Sequence, residues 1–265
     1  MNLNKKMIKF FSFFVTSNLF ISLNAFCLYL LYAFKEKSNF FLSTPILVFS
    51  ITYMGYHALR FIPWKKYGQD IGAETVDFYN NFKILFSVSI LIALASFIYG
   101  VLEFNQNQYI VLISIMVLGL LYERILTSSF SLRGIPYGKP FIIAFTWSLT
   151  CAGLVEDITI SMFMDCFIFI FLLSIPFDIK DRAQDKKENI KTFATEYFFK
   201  TKLISSALFL IYGVYQYLEV REYIFLILIP LYLTLMYLPK KNNLTYYYGF
   251  DGIVLIRCLF YFFQN

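Results

Sequence analysis

Three aspartates, Asp178, Asp181 and Asp185, stand at spacings of three and four in the stretch Ile175 to Ala194, which reads IPFDIKDRAQDKKENIKTFA. On a helix this spacing gathers three carboxylates on one face. Like charges so placed repel each other unless a cation lies between them, and all-oxygen ligands suit a hard ion such as Mg2+. Arg182, Lys186, Lys187 and Lys191 flank the acids and could hold the outer oxygens of a phosphate. The ligand this arrangement suits is a metal-bridged diphosphate. A solvated charged loop with ordinary helix ends would show the same spacing, so on spacing alone both readings stand.

A second set of acids, Asp70, Glu74 and Asp77, also shares one helical face by its spacing of four and three, and a surface helix with its acids in water is the competing reading. His57 is the only histidine and precedes Arg60 by three residues. The pair could bind an anionic headgroup, or His57 could be a packing residue. Tyr122, Arg133 and Lys139 bracket a turn, Ile135-Pro136-Tyr137-Gly138-Lys139-Pro140, recognisable by its Pro and Gly content. Asp165, Asp251 and Arg257 lie inside apolar runs, where an ionisable group is expensive unless it finds a partner. Arg257 is expected to pair with an acid from a neighbouring helix, Asp165 to reach outward to water, and Asn18 and Asn24 to hydrogen-bond between helices.

The elements that position these groups are apolar. Of 265 residues, 59% are hydrophobic, 21% aromatic and 15% charged, against about 45–50% apolar and about 25% charged in a typical soluble domain. That balance excludes a disordered chain and points to an all-α, multi-pass membrane protein. Nine runs approach the ~20 residues a bilayer crossing needs: roughly 10–34, 40–62, 82–102, 108–123, 139–155, 161–177, 202–218, 223–239 and 246–263. Three of them are short enough that eight spans also fit. Most of the 23 basic residues then fall on one side, which by the positive-inside rule is cytoplasmic. The expectation is a nine-helix transmembrane bundle, one domain over 1–265, in the cell inner membrane with its N-terminus inside and C-terminus outside. The net charge of +6 then marks cytoplasmic loops and not a nucleic-acid partner. Cys27, Cys151, Cys166 and Cys258 are far apart in apolar sequence and read as small buried hydrophobes.

With nine spans, the acidic loop after the sixth, and the wording Asp181-Arg182-Ala183-Gln184-Asp185 followed by Lys191-Thr192, the chain resembles the UbiA superfamily of intramembrane prenyltransferases. The resemblance implies Mg2+-dependent transfer of an isoprenoid from a polyprenyl diphosphate to a hydrophobic or aromatic acceptor, among membrane lipid. It implies Asp181 and Asp185 as catalytic metal ligands with Asp178 supporting them. Lys180, Arg182, Lys186, Lys191, Arg133, Lys139 and Tyr122 would bind the diphosphate. The family's first Asp-rich motif has no counterpart here, since Tyr53 to Arg60 contains no carboxylate. His57, Arg60, Asp70, Glu74 and Asp77 are the available replacements. A non-catalytic lipid-binding membrane protein with the same fold, or a small transporter, are the alternative expectations.

Overall fold

In the computed structural model, residues 11–37, 42–68, 71–123, 130–238 and 244–264 are described, and among them regular structure is wholly helical. The chain falls into two units. The first is Met1–Phe130 with Leu149–Asp157, the second Ser131–Ser148 with Ile158–Asn265.

In the first unit, α1 (Leu19–Lys35) and α4 (Lys83–Val101) both pack on α2 (Ser43–Tyr67). The α2–α4 approach is close because residue 100 is glycine: a Cβ there would lie 2.7 Å from Leu47 Cβ. Helix α2 ends at Gly68, which takes φ 67° and returns its N–H to the carbonyls of Pro63 and Trp64, a left-handed stop that glycine adopts without a Cβ penalty. Short α3 (Ala73–Asn81) leads into α4, and α5 (Gln106–Tyr122) starts with a capping box in which Asn105 and Gln108 satisfy each other's backbone N–H groups. Of the 19 residues of α4, Ala93 and Gly100 are buried, and of α5 Leu112 and Ile115.

The second unit begins with a 3-10 turn at Leu132–Gly134 and the start of α6 (Lys139–Cys151). Its backbone is α7 (Ile160–Lys187), 28 residues long, capped by the Thr159 side chain and carrying Pro176 within it. Short α8 (Phe193–Glu196) precedes α9 (Phe198–Leu218), which packs on α10 (Phe225–Tyr237). Gly213 permits that contact, since a Cβ would sit 2.6 Å from Ile229 Cγ1. A π-helical turn, Thr245–Asp251, and α11 (Gly252–Gln264) complete the unit.

This architecture corrects the expected nine-helix transmembrane bundle. Among the described residues three helices, α4, α7 and α9, are long and apolar enough to cross a bilayer by length and composition. Apolar runs did not translate into equally long helices. The runs at 139–155 and 223–239 yield helices of 13 residues, about 20 Å at 1.5 Å per residue against a hydrocarbon core of about 30 Å. The run at 246–263 is split between the π turn and a 13-residue helix. Helix α2 is long, but Ser50, Thr52, Tyr53, His57 and Arg60 interrupt its apolar character. The multi-pass inner-membrane placement and the N-in, C-out orientation rested on nine crossings and are withdrawn with them.

Candidate functional site

The acidic face of α7 forms as its spacing requires, and what fills it is a side chain of the protein. The turn before α6 is closed by Gly138 N–H donating to the Ile135 carbonyl at 3.0 Å and is tied down by Tyr137 N–H donating to the Lys191 carbonyl at 2.8 Å. Lys139 therefore starts α6 with its stem buried, 4% exposed. Its ammonium meets Asp185 Oδ2 at 2.9 Å, Asp178 Oδ1 at 3.1 Å and Asp181 Oδ2 at 3.4 Å. Arg133 adds a second cation, 3.0 Å from Asp185 Oδ1 and 3.6 Å from Glu188. Asp185 and Asp178 are buried, whereas the Asp181 side chain is 36% exposed. Burial pushes the Asp178 carboxyl up to about 6; Lys139 pulls it down, and Asp185 and Asp181 oppose that pull.

Lys180 turns away from the acidic face. Its ammonium donates to Tyr247 Oη at 2.9 Å, lies over the Tyr247 ring, and reaches Asp181 at 3.7 Å. Arg182 lies over the Phe198 ring with its guanidinium carbon 4.7 Å from the centroid. Lys186 and Lys191 are exposed.

The other polar cluster of this unit centres on Arg257, fully buried in α11. Its guanidinium donates to Glu222 through Nε at 2.9 Å and Nη2 at 3.0 Å, to Asp165 at 2.7 Å and to Tyr212 Oη at 3.2 Å. Tyr212 and Gln216 both donate to Asp165 Oδ1, at 2.5 and 2.6 Å. The guanidinium also stacks 4.5 Å from the Phe169 centroid and 5.3 Å from that of Phe225. Arg257 thus pairs with an acid from a neighbouring helix as expected, while Asp165, expected to reach water, is its partner. Glu222 and Tyr212 were not singled out in the sequence; their signal was only that a buried arginine needs two acceptors.

The replacements suggested for the missing motif lie in the first unit. Asp70 falls outside the described residues. Glu74 and Asp77 are exposed on α3, Glu74 accepting from Ser12 Oγ at 3.0 Å. His57 is 1% exposed, its Nδ1 3.2 Å from Asn18 Nδ2 and 2.9 Å from Tyr79 Oη. The rings of Tyr53, Phe86, Tyr79 and Phe78 surround it with centroids 4.5 to 6.0 Å away. Burial lowers the imidazole to about 4, with Arg60 pushing the same way and the Ser17 backbone opposing. His57 is therefore held neutral among aromatic rings, with its Nε2 buried and without a hydrogen-bond partner among the described residues. Tyr122 is half-buried at the end of α5. An open groove of about 610 Å³ lies at the α3–α4 junction, lined by Asn80, Asn81, Phe82, Lys83, Ile84, Leu85 and Val88.

No family model matches this chain, and the comparisons with curated proteins and with solved structures found no match. Among the described residues no group of three or more His, Cys, Asp or Glu side chains is arranged to hold a metal ion. The carboxylates read as Mg2+ ligands face Lys139, Arg133 and Lys180, while Asp178 Oδ2 is buried without a hydrogen-bond partner among the described residues. These findings overturn the resemblance to the prenyltransferase superfamily and the Mg2+-dependent transferase activity it implied. Lysine at position 139 answers the repulsion among three aspartates, where their spacing had suggested a metal.

Proposed function

We propose that this chain binds anionic lipid, with the second unit providing the contact. The observation that carries the reading is the surface of α9. Phe199 is 82% exposed, and Leu203, Ile204, Ile211, Tyr215 and Leu218 are all exposed along the same helix. Lys200 stands exposed on its first turn, and Lys186 and Lys187 at the end of α7 and Lys191 in the segment that follows are exposed too. Burying exposed apolar surface is favourable by about 25 cal/mol per Å², and a contiguous patch of this kind marks an interaction surface. Each lysine near a negatively charged lipid surface adds about 1 kcal/mol, an effect that fades within a Debye length. Apolar face and basic collar together suit a partner with an anionic head on an apolar body. Phospholipid and polyprenyl diphosphate belong to that chemical class.

The reading requires no reaction. It is tested by flotation of the purified chain with vesicles of phosphatidylglycerol and phosphatidylcholine, against phosphatidylcholine alone, over a salt series. The expected result is tighter binding to the anionic vesicles, by at least about tenfold at low salt and falling as salt rises. Equal recovery with both vesicle types at every salt concentration would overturn it.

A further inference from the structure

We propose that α4 is a docking surface for a second copy of this chain, the two α4 helices pairing antiparallel about a two-fold axis at the level of Ala93. Helix α4 packs on α2 with Ala93 and Gly100 buried. At 3.6 residues per turn, the side opposite those two residues is the stripe Ile84, Val88, Leu91, Ala95, Ile98 and Leu102, and all six are exposed. Steps along the stripe alternate four and three, the spacing that sets an apolar seam against another helix. Leu102 belongs to the seam because, as the C-cap of α4, it keeps right-handed helical backbone.

The order of residues along the stripe identifies the occupant. Lys83 precedes it and Glu103 follows it, both exposed, with Glu103 also accepting from Ser43 Oγ. In an antiparallel pair centred on Ala93, each Lys83 meets the partner's Glu103, so opposite charges close both ends. Ile84 meets the partner's Leu102, Val88 the partner's Ile98, and the bulky Leu91 the partner's small Ala95. Each contact is repeated by the two-fold, as an isologous interface requires, and large sits against small at the centre. A parallel pair would set lysine against lysine at one end and glutamate against glutamate at the other, and would leave a gap where Ala95 met its own copy. A bilayer is indifferent to this order, since hydrocarbon responds to apolarity alone. The groove at the start of α4, lined by Lys83, Ile84 and Val88 among others, lies where the partner's Leu102 falls in this register. One helix per copy buries less than the about 1,600 Å² of a standard interface, so the dimer is expected to dissociate on dilution. The lipid reading concerns the second unit and stands or falls separately.

The test is sedimentation equilibrium of the full chain without lipid, over a wide concentration range, in which the mass is expected to rise from one chain to two. Leu91→Glu, at a position 65% exposed, places a charge at the centre of the seam and is expected to weaken dimerisation by at least about tenfold with an unchanged melting temperature. Ile98→Glu should do the same from a second position. Lys83→Glu sets like charges at both ends and is expected to weaken dimerisation by about threefold or more; adding Glu103→Lys should restore it. Phe263→Glu, on the exposed end of the second unit, should leave it unchanged. A wild-type chain that stays monomeric throughout, or Leu91→Glu and Ile98→Glu variants that dimerise as wild type does, would overturn the proposal. Lys83→Glu dimerising as tightly as wild type would overturn the antiparallel register. A monomeric wild type that floats with pure phosphatidylcholine vesicles, where Leu91→Glu does not, would assign the face to a bilayer instead.

Discussion

Helix α7 carries two cation-centred clusters, and they differ in how completely each is closed. Near its start, Asp165 joins a guanidinium whose hydrogen bonds run to two carboxylates and a tyrosine, inside a stack of aromatic rings. Near its end, about 20–30 Å away at 1.5 Å per residue, three aspartates share the point charge of Lys139, and one of them reaches solvent. Beyond that second cluster, among the described residues, the exposed Lys186, Lys187 and Lys191 pair with no acid. Arginine's planar fork saturates a buried pair of acids in fixed directions, whereas an ammonium satisfies charge without fixing geometry. Enclosed charge in this protein holds helices together; charge left over at the open end is available to an anion.

The largest test of this contrast is Arg257→Met. It leaves Asp165 and Glu222 buried without their cation and is expected to cost about 3–5 kcal/mol in denaturant unfolding. Arg257→Lys should fail to restore most of it; full rescue by lysine would erase the distinction between the clusters.

Acid gives the next effect, with opposite signs in the two units. His57 titrates at about 4 when folded, below its ordinary value of 6.5, so between these values the unfolded state binds more protons. Its contribution is present above pH 6.5 and is lost as pH falls toward 4, by up to about 3 kcal/mol. Asp178 titrates at about 6, above its ordinary value of 3.8, so its contribution is present below pH 3.8 and is lost as pH rises through 6. Hydrogen exchange followed by unit from pH 7 to 4 should show His57→Phe flattening the acid loss in the first unit. Asp178→Asn should remove an opposing slope in the second.

Lys139→Met is expected to cost less than Arg257→Met, about 2 kcal/mol, because the partly exposed Asp181 is solvated when its partner leaves. Adding Asp185→Asn should recover part of that loss, as a double-mutant cycle would measure; independent effects would mean that Lys139 does not neutralise the acids. Gly213→Ala, which drives a Cβ into Ile229, should cost about 1–3 kcal/mol in thermal unfolding. Arg182→Gln, on the open side, should change stability by less than about 0.5 kcal/mol.

The sequence showed the three-and-four spacing of Asp178, Asp181 and Asp185, and these residues do share a face. It also showed that Arg257 would need an acid from another helix. It did not reveal what fills the acidic face, because Lys139 lies about 40 residues before the acids, and only the turn tied to the Lys191 carbonyl brings it there. Span counting failed for a related reason. Apolar composition records what the solvent or a neighbouring helix must cover, but helix length depends on where turns interrupt, as in the π turn before α11, and a long helix can still carry polar residues, as α2 does at His57. The role of His57 turned on partners outside its own helix, Asn18 just before α1 and Tyr79 in α3, that no local pattern announces.

The most direct measurement of the contrast compares one variant of the open end with wild type in two assays. In the variant Lys186, Lys187, Lys191 and Lys200 are all changed to Gln, and both proteins are followed by thermal unfolding and by flotation with anionic vesicles. The account predicts a melting temperature within about 2 °C of wild type, as for surface substitutions, and vesicle binding weakened by at least about tenfold. Unchanged binding, or a loss of binding accompanied by unfolding, would contradict it.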